Sequence, residues 1–230
     1  MDIHGLQKMT LLDYPGKVAC TVFLAGCQFR CPFCHNSEIL DRTRAEPVMD
    51  DRALLAFLET RKGLLEGVCF TGGEPLLSPG LPGLIREIRA LGFPVKLDTN
   101  GYLPDLLAGL LDAGLLDYVA MDVKSSPERY AEAAGLPRVD LSKIERSLRM
   151  LIGGPVPYEL RTTVVAELHD DEVFRAVGPW IRGASRYYLQ AFADRDTVMY
   201  AGLHAPSREA MLRWAGLVRP YVGSVELRGI

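Results

Sequence analysis

The chain is short of cysteine, has no surplus of positive charge and contains no long apolar run. Each shortage removes a class of protein. Five cysteines in 230 residues, three of them crowded at positions 27, 31 and 34, do not make a disulfide framework and suit a reducing compartment. A formal net charge of −3, from 26 Lys and Arg against 29 Asp and Glu, leaves no basic footprint for nucleic acid. No apolar stretch approaches the roughly 18 residues that a membrane span needs. The start, Met-Asp-Ile-His-Gly, lacks the basic residues and apolar core of a secretory signal. The expectation is a cytoplasmic protein with no nucleic-acid and no membrane partner. No internal repeat or low-complexity segment stands out. No Gly-x-Gly-x-x-Gly follows the first predicted strand, so the dinucleotide fingerprint is missing.

What is present is core material. Apolar residues make up 48% of the chain, enough for one sizeable domain over 1–230. Residues 17–25 form a continuous apolar, β-branched run, as expected of a parallel strand covered on both faces. Further strands are predicted at 68–71, 94–98, 117–123, 158–166 and 187–192, with a last short one at 222–227. Helical spacing places helices at 50–63, 81–91, 104–113, 127–134, 141–152, 170–182 and 206–218. Asp50 is the expected cap of the first, and Pro82 and Gly92 bracket the second. Strands alternating with helices argue for parallel βαβ units. Six such units fall short of the eight that close a barrel, so the expected class is α/β with an incomplete barrel. An open doubly wound sheet is the alternative.

The cluster loop, 26–36, reads Gly-Cys-Gln-Phe-Arg-Cys-Pro-Phe-Cys-His-Asn. Cys27, Cys31 and Cys34 stand as C-x₃-C-x₂-C. Cys31 to Cys34 alone could be a redox C-x-x-C, and with His35 it spells the haem-attachment pattern. Cys27, Cys31, Cys34 and His35 could also make a Cys₃His zinc site. Haem attachment needs export, and redox exchange leaves Cys27 unexplained. Structural zinc usually draws on a second ligand pair, which the chain lacks. An iron–sulfur cluster is the reading that uses all three thiols, with zinc second. Cys20 and Cys69 lie inside strands and read as small core hydrophobes. His4, His169 and His204 carry no motif and are assigned to the surface. Asp170 and Asp171 read as charges at a helix N-terminus, not a catalytic pair.

Polar and glycine-rich clusters recur where the predicted strands end, the face on which parallel α/β folds bind ligands. They are Gly72-Gly73-Glu74-Pro75, Asp98-Thr99-Asn100-Gly101 and Asp122 with Lys124, while Arg161 and Thr163 lie within the strand at 158–166. Asn100-Gly101 would ordinarily mark a hairpin, but a helix pattern follows it.

On these residues the chain resembles the radical S-adenosylmethionine enzymes. The string 31–36 resembles the glycyl-radical-enzyme activases. The run from Gln7 to Asn36, with the later motifs through Met121-Asp122-Val123-Lys124 and Val225-Glu226-Leu227-Arg228-Gly229, is similar to the activating proteins of anaerobic ribonucleoside-triphosphate reductase. The resemblance implies one radical S-adenosylmethionine domain over 1–230 with a partial (β/α)₆ TIM-like barrel. It implies a [4Fe–4S] cluster on Cys27, Cys31 and Cys34, with one iron left to bind S-adenosylmethionine. Gly72, Gly73 and Glu74 would meet the methionyl amino group. Asp98 and Asn100 would lie near the cofactor, Lys124 would meet its carboxylate, and Arg161 would meet the same carboxylate or the ribose. Asp98 and Asp122 would hold a monovalent cation. The implied reaction is reductive cleavage to a 5′-deoxyadenosyl radical, which installs a glycyl radical on a partner enzyme, with flavodoxin or ferredoxin as electron donor. A radical enzyme acting on a small molecule, another glycyl radical enzyme as target, and a non-catalytic zinc protein are the alternatives. With only Cys20 and Cys69 left over, no second cluster is expected. Some activases have a histidine near the end of the sixth strand; here Gln190-Ala191-Phe192 stands in that region.

Overall fold

The computed structural model describes residues 1–230. Its strands are β1 (Asp2–Ile3), β2 (Gly5–Thr10), β3 (Ala19–Leu24), β4 (Met49–Asp50), β5 (Gly67–Gly72), β6 (Val95–Thr99), β7 (Tyr118–Asp122), β8 (Tyr158–Val164), β9 (Tyr187–Ala191) and β10 (Val225–Arg228). Its helices are α1 (Asp51–Glu59), α2 (Leu81–Ala90), α3 (Pro104–Asp112), α4 (Tyr130–Ala133), α5 (Leu141–Ile152), α6 (Asp171–Trp180) and α7 (Arg208–Val218). Strands β3, β5, β6, β7, β8 and β9 are each followed by helix before the next, which gives the six units expected. No helix is long and apolar enough to cross a membrane.

The chain divides into two compact units. The first holds Met1–Gln28, Glu38–Thr99 and Leu103–Val119; the second holds Phe29–Ser37, Asn100–Tyr102 and Ala120–Ile230. In the first, β3 pairs parallel with β5 from Ala19 opposite Gly67 to Leu24 opposite Gly72, and β5 pairs parallel with β6. Val22, Leu24, Val68, Phe70, Val95 and Leu97 are buried along these strands, as expected of mostly apolar strands in a parallel sheet. Leu54 and Leu58 of α1, with Leu84, Ile85 and Ile88 of α2, supply the buried helix stripes. Asp50 caps α1 by accepting from the Ala53 N–H at 2.7 Å.

The sequence reading missed three strands of this unit. β2 lies antiparallel on β3, with Gly5 opposite Phe23, and β1 pairs with β4. Residues Gln7, Lys8 and Met9 of β2 are exposed, so no apolar run or clean alternation marks it.

In the second unit β8, β9 and β10 pair parallel in that order, with Leu160 opposite Tyr187 and Val225 opposite Tyr187 on the other side. The Val123 N–H reaches the Arg161 carbonyl at 2.7 Å. Helices α6 and α7 meet through the stacked rings of Phe174 and Trp214, 5.1 Å apart. Asp170 caps α6, accepting from the Val173 N–H at 3.0 Å. Asp171, in the first turn of α6, instead accepts from the Arg213 Nε and Trp214 Nε1 donors of α7 at 2.9 and 2.8 Å.

Candidate active site

In the first unit the chain leaving β3 is fastened before it enters the cysteine loop. The Gly73 N–H donates to the Leu24 carbonyl at 2.9 Å and the Glu74 N–H to the Gly26 carbonyl at 2.7 Å. The Gly26 and Cys27 N–H groups donate to the Ile39 and Leu40 carbonyls at 2.8 and 3.1 Å. Arg42 donates to the Ala25 carbonyl at 3.2 Å and to Ser78 Oγ at 3.1 Å. The turn after β5 and the approach to Cys27 are therefore one hydrogen-bonded body. Gly72 has φ +119°, and a Cβ on Gly73 would press into the Gly26 carbonyl. Glycine at both places follows from this close backbone approach.

Glu74 is fully buried. Its carboxylate accepts from the Leu76 N–H at 3.2 Å and the Thr99 hydroxyl at 2.9 Å. The acid of the Gly-Gly-Glu motif thus fixes the turn whose backbone the sequence reading assigned to the cofactor.

Asp98 stands on β6 beside a lysine the sequence reading did not single out. Lys96 is 1% exposed and its ammonium pairs with Asp98 Oδ1. Cys69 Sγ lies 3.7 Å from both Lys96 Nζ and Asp98 Oδ1. Cys69 is buried, as expected, but its sulfur belongs to a polar cluster and not to a purely apolar core. The available signal was period two: Lys96 and Asp98 share a strand face.

In the second unit Cys31 and Cys34 are joined by a tight turn, the Cys34 N–H donating to the Cys31 carbonyl at 3.1 Å. Phe29 anchors the loop between the rings of Tyr102, 5.3 Å away, and Tyr130, 6.4 Å away. His35 stacks on Phe192 with ring centres 5.6 Å apart and planes 9° from parallel, and its Nε2 meets the Ala193 carbonyl at 2.7 Å. The imidazole near the end of the sixth strand thus comes from the cysteine loop. Ser37 donates to the Thr197 carbonyl. Asn100 Oδ1 accepts from the Tyr102 N–H at 3.0 Å, and the Gly101 carbonyl accepts from Ser147 Oγ at 2.7 Å. Gly101 has φ +72°, but the chain runs on into α3 and makes no hairpin.

Asp122, Lys124 and Arg161 do come together. Lys124 Nζ is 2.9 Å from Asp122 Oδ2 and Arg161 Nε is 3.0 Å from Asp122 Oδ1. Burial alone would raise the Asp122 carboxyl; the two cations more than offset it and hold it at about 2. Burial likewise works against the Lys124 ammonium, but Asp122 and Cys31 keep its pKa above the ordinary lysine value. Two cations on one carboxylate leave a local surplus of positive charge. Each carboxylate expected to hold a monovalent cation, Asp98 and Asp122, already faces a lysine.

Of the histidines assigned to the surface, His169 is buried and His4 is half-buried. His169 is 2% exposed. Its Nε2–H donates to the Lys124 carbonyl at 2.9 Å and its Nδ1 accepts from the Val165 N–H at 3.0 Å. His4 Nδ1 accepts from the Ala25 N–H at 3.2 Å. His204 is exposed and pairs with Glu167 at 2.6 Å. No motif marks His169; only its place beside the end of β8 gives it a role.

Cys27, Cys31 and Cys34 carry no disulfide. Three soft sulfur donors in one short loop fit an iron–sulfur cluster. Burial pushes the Cys34 thiol up, opposed by the Asn36 N–H and by Lys124. Ligation requires the thiolate, so loading releases protons.

A Methanocaldococcus jannaschii protein named "Putative glycyl-radical enzyme activating enzyme" is 29% identical over 236 residues, covering 99% of this chain and 96% of that one. The pyruvate formate-lyase-activating enzyme of Clostridium pasteurianum is 33% identical over 106 residues, 44% of this chain and 43% of that protein. Among solved structures, a domain of pyruvate-formate lyase-activating enzyme from Bacteroides vulgatus matches 71% of this chain and 99% of that chain, with TM-score 0.58 and 19% identity. Streptococcus suis SuiB bound to S-adenosylmethionine matches 91% of this chain and 52% of that chain, with TM-score 0.69 and 11% identity. These structural likenesses are of fold: α/β, with a mostly parallel sheet and helices that fit a partial TIM-like barrel. The profile of the Radical SAM superfamily matches residues 21–177, well over half of the sequence. The chain belongs to the Radical SAM superfamily, and that membership implies a [4Fe–4S] cluster and S-adenosylmethionine.

Proposed function

We propose that the chain is a glycyl-radical-enzyme activating enzyme whose partner is an anaerobic ribonucleoside-triphosphate reductase. The observation that carries the activase reading is the end-to-end match with the Methanocaldococcus jannaschii protein, 99% of one chain on 96% of the other. The choice of reductase rests on the run from Gln7 to Asn36 and the later motifs. Cysteine use supports a single cluster: beyond the loop only Cys20 and Cys69 remain, both buried in strands.

When bound, a [4Fe–4S] cluster and S-adenosylmethionine supply one-electron reductive cleavage of a carbon–sulfur bond. Cys27, Cys31 and Cys34 hold the cluster by sulfur. In the first unit Gly72 and Gly73 offer backbone to the methionyl ammonium, on a turn stiffened by the buried Glu74. In the second unit Lys124 and Arg161 receive its carboxylate, since together they outweigh Asp122. Asn100 fixes the turn that follows β6, and His35 closes the loop against Phe192. A monovalent cation would have to share carboxylates already facing Lys96 and Lys124. Flavodoxin or ferredoxin is the proposed electron donor, and the cytoplasm the proposed compartment.

The test is anaerobic. Iron and acid-labile sulfide analysis is expected to give about four iron per chain, and one zinc would reject catalysis. Under reductant, 5′-deoxyadenosine is expected from S-adenosylmethionine, and serine at any of the three cysteines is expected to abolish it. Mixing with anaerobic ribonucleotide reductase is expected to give a glycyl-radical doublet by electron spin resonance, dependent on both this protein and S-adenosylmethionine. Nucleoside release without that doublet leaves a radical enzyme with another target.

A further inference from the structure

Arg228, on strand β10, reaches a buried carboxylate on β8. Its Nη1 and Nη2 each lie 3.0 Å from one oxygen of Glu159, a two-pronged clasp. Glu159 is 1% exposed. Arg228 Nη1 also meets Gln190 Oε1 at 3.3 Å, and the guanidinium sits 3.5 Å over the Tyr188 ring. Glu159 has a second cation within reach, Arg161 Nη1 at 4.0 Å. The same Arg161 donates its Nε to Asp122 at 3.0 Å. Charges therefore alternate along one face of the second unit: Lys124, Asp122, Arg161, Glu159, Arg228.

Arg161 stands between two carboxylates. Which one it serves depends on how well Glu159 is satisfied elsewhere, because a buried carboxylate that loses a partner is costly and turns to the nearest cation. The forked contact with Arg228 supplies that satisfaction, and a lysine cannot reproduce its geometry. We infer that Arg228 is a positioning residue: by clasping Glu159 it keeps Arg161 on Asp122, and so preserves the paired cations that receive an anionic carboxylate ligand. The inference rests on the reading that Lys124 and Arg161 meet the carboxylate of S-adenosylmethionine. It extends that reading to strand β10.

The test measures S-adenosylmethionine binding to the cluster-loaded protein by anaerobic equilibrium dialysis, without turnover. Arg228→Met is expected to weaken binding about tenfold, the size of a coupling within one charge network. Arg228→Met combined with Glu159→Gln is expected to bind within about threefold of the wild type, because a neutral Glu159 no longer competes for Arg161. A merely structural role for Arg228 predicts no such rescue. Unchanged binding in the single variant, or a double variant as weak as the single, overturns the inference. If Arg228→Met does not load its cluster, Arg228→Lys carries the measurement, with binding expected about threefold weaker; wild-type affinity there overturns it too. A wild type with no saturable binding defeats the reading of Lys124 and Arg161 itself, and the inference with it.

Discussion

Replacing His169 by glutamine is expected to remove part of the acid sensitivity of this fold. The side chain is 2% exposed, and its ring meets the Lys124 carbonyl, the Val165 N–H and, 3.2 Å from Nδ1, the Val165 carbonyl. The Lys124 carbonyl demands a proton on Nε2, and the Val165 N–H demands a lone pair on Nδ1. Only the neutral ring satisfies both. Burial pushes the pKa of His169 below its usual 6.5, and the carbonyls of Lys124 and Val165, acting the other way, do not restore it. The sign follows. A depressed folded pKa means that stability is present above the unfolded value and is lost as pH falls toward the folded one, because the unfolded chain takes up the proton first. Between pH of about 7.5 and about 5.5, on either side of the ordinary histidine value, the wild type should lose stability through this residue. His4, also depressed by burial, contributes in the same direction to wild type and variant alike, so the difference between them isolates His169. Urea unfolding followed by circular dichroism at the two pH values provides the numbers. The variant should be less stable at neutral pH by about 1–3 kcal/mol, the cost of imperfectly paired buried groups. An equal acid loss in wild type and variant would refute the tautomer argument.

Gly73→Ala should drive a methyl into the Gly26 carbonyl, costing about 1–3 kcal/mol as an overpacked contact. The same variant should lose iron on purification, and full iron retention would separate the turn from the cysteine loop. Lys96→Met strips the ammonium from the Asp98 carboxylate and should cost about 3–5 kcal/mol, the usual result of breaking one side of a buried pair. Adding Asp98→Asn should recover part of that loss, and denaturant midpoints for the two variants decide it.

The parallel strands were legible because burial on both faces makes them mostly apolar, as in Ala19–Leu24 and Tyr118–Asp122. Helix starts were legible where a carboxylate or hydroxyl caps them, at Asp50 and Asp170. β1 and β4 are two residues long and β2 is largely exposed, so neither length nor pattern announces them. At the site, Gly72, Asp98 and Asp122 lie at or next to strand ends, while Arg161 lies in the middle of β8. Glu159, His169 and Arg228 were given no site role, because Glu159 and Arg228 pair with each other across strands and His169 meets the Lys124 carbonyl 45 positions away, whereas Lys96 was missed although Asp98 is two residues on. Glu159 and Arg228 are 69 positions apart, and no local spacing rule spans that gap. Glu74 was legible as a motif residue, but its inward carboxylate follows from the Thr99 hydroxyl, which lies on another strand.

The contacts of His35 and Ser37 with Ala193 and Thr197 join segments 158 and 160 residues apart. A ribosome adding about 5–20 residues per second needs about 8–30 s to cross that interval. For that time the cysteine loop lacks the contacts that His35 and Ser37 later make with Ala193 and Thr197. Delivery of iron and sulfide has its widest access in that interval, and so does oxidative damage. Translation speed through the second half of the message therefore bears on how much of the protein emerges usable in air-exposed cells.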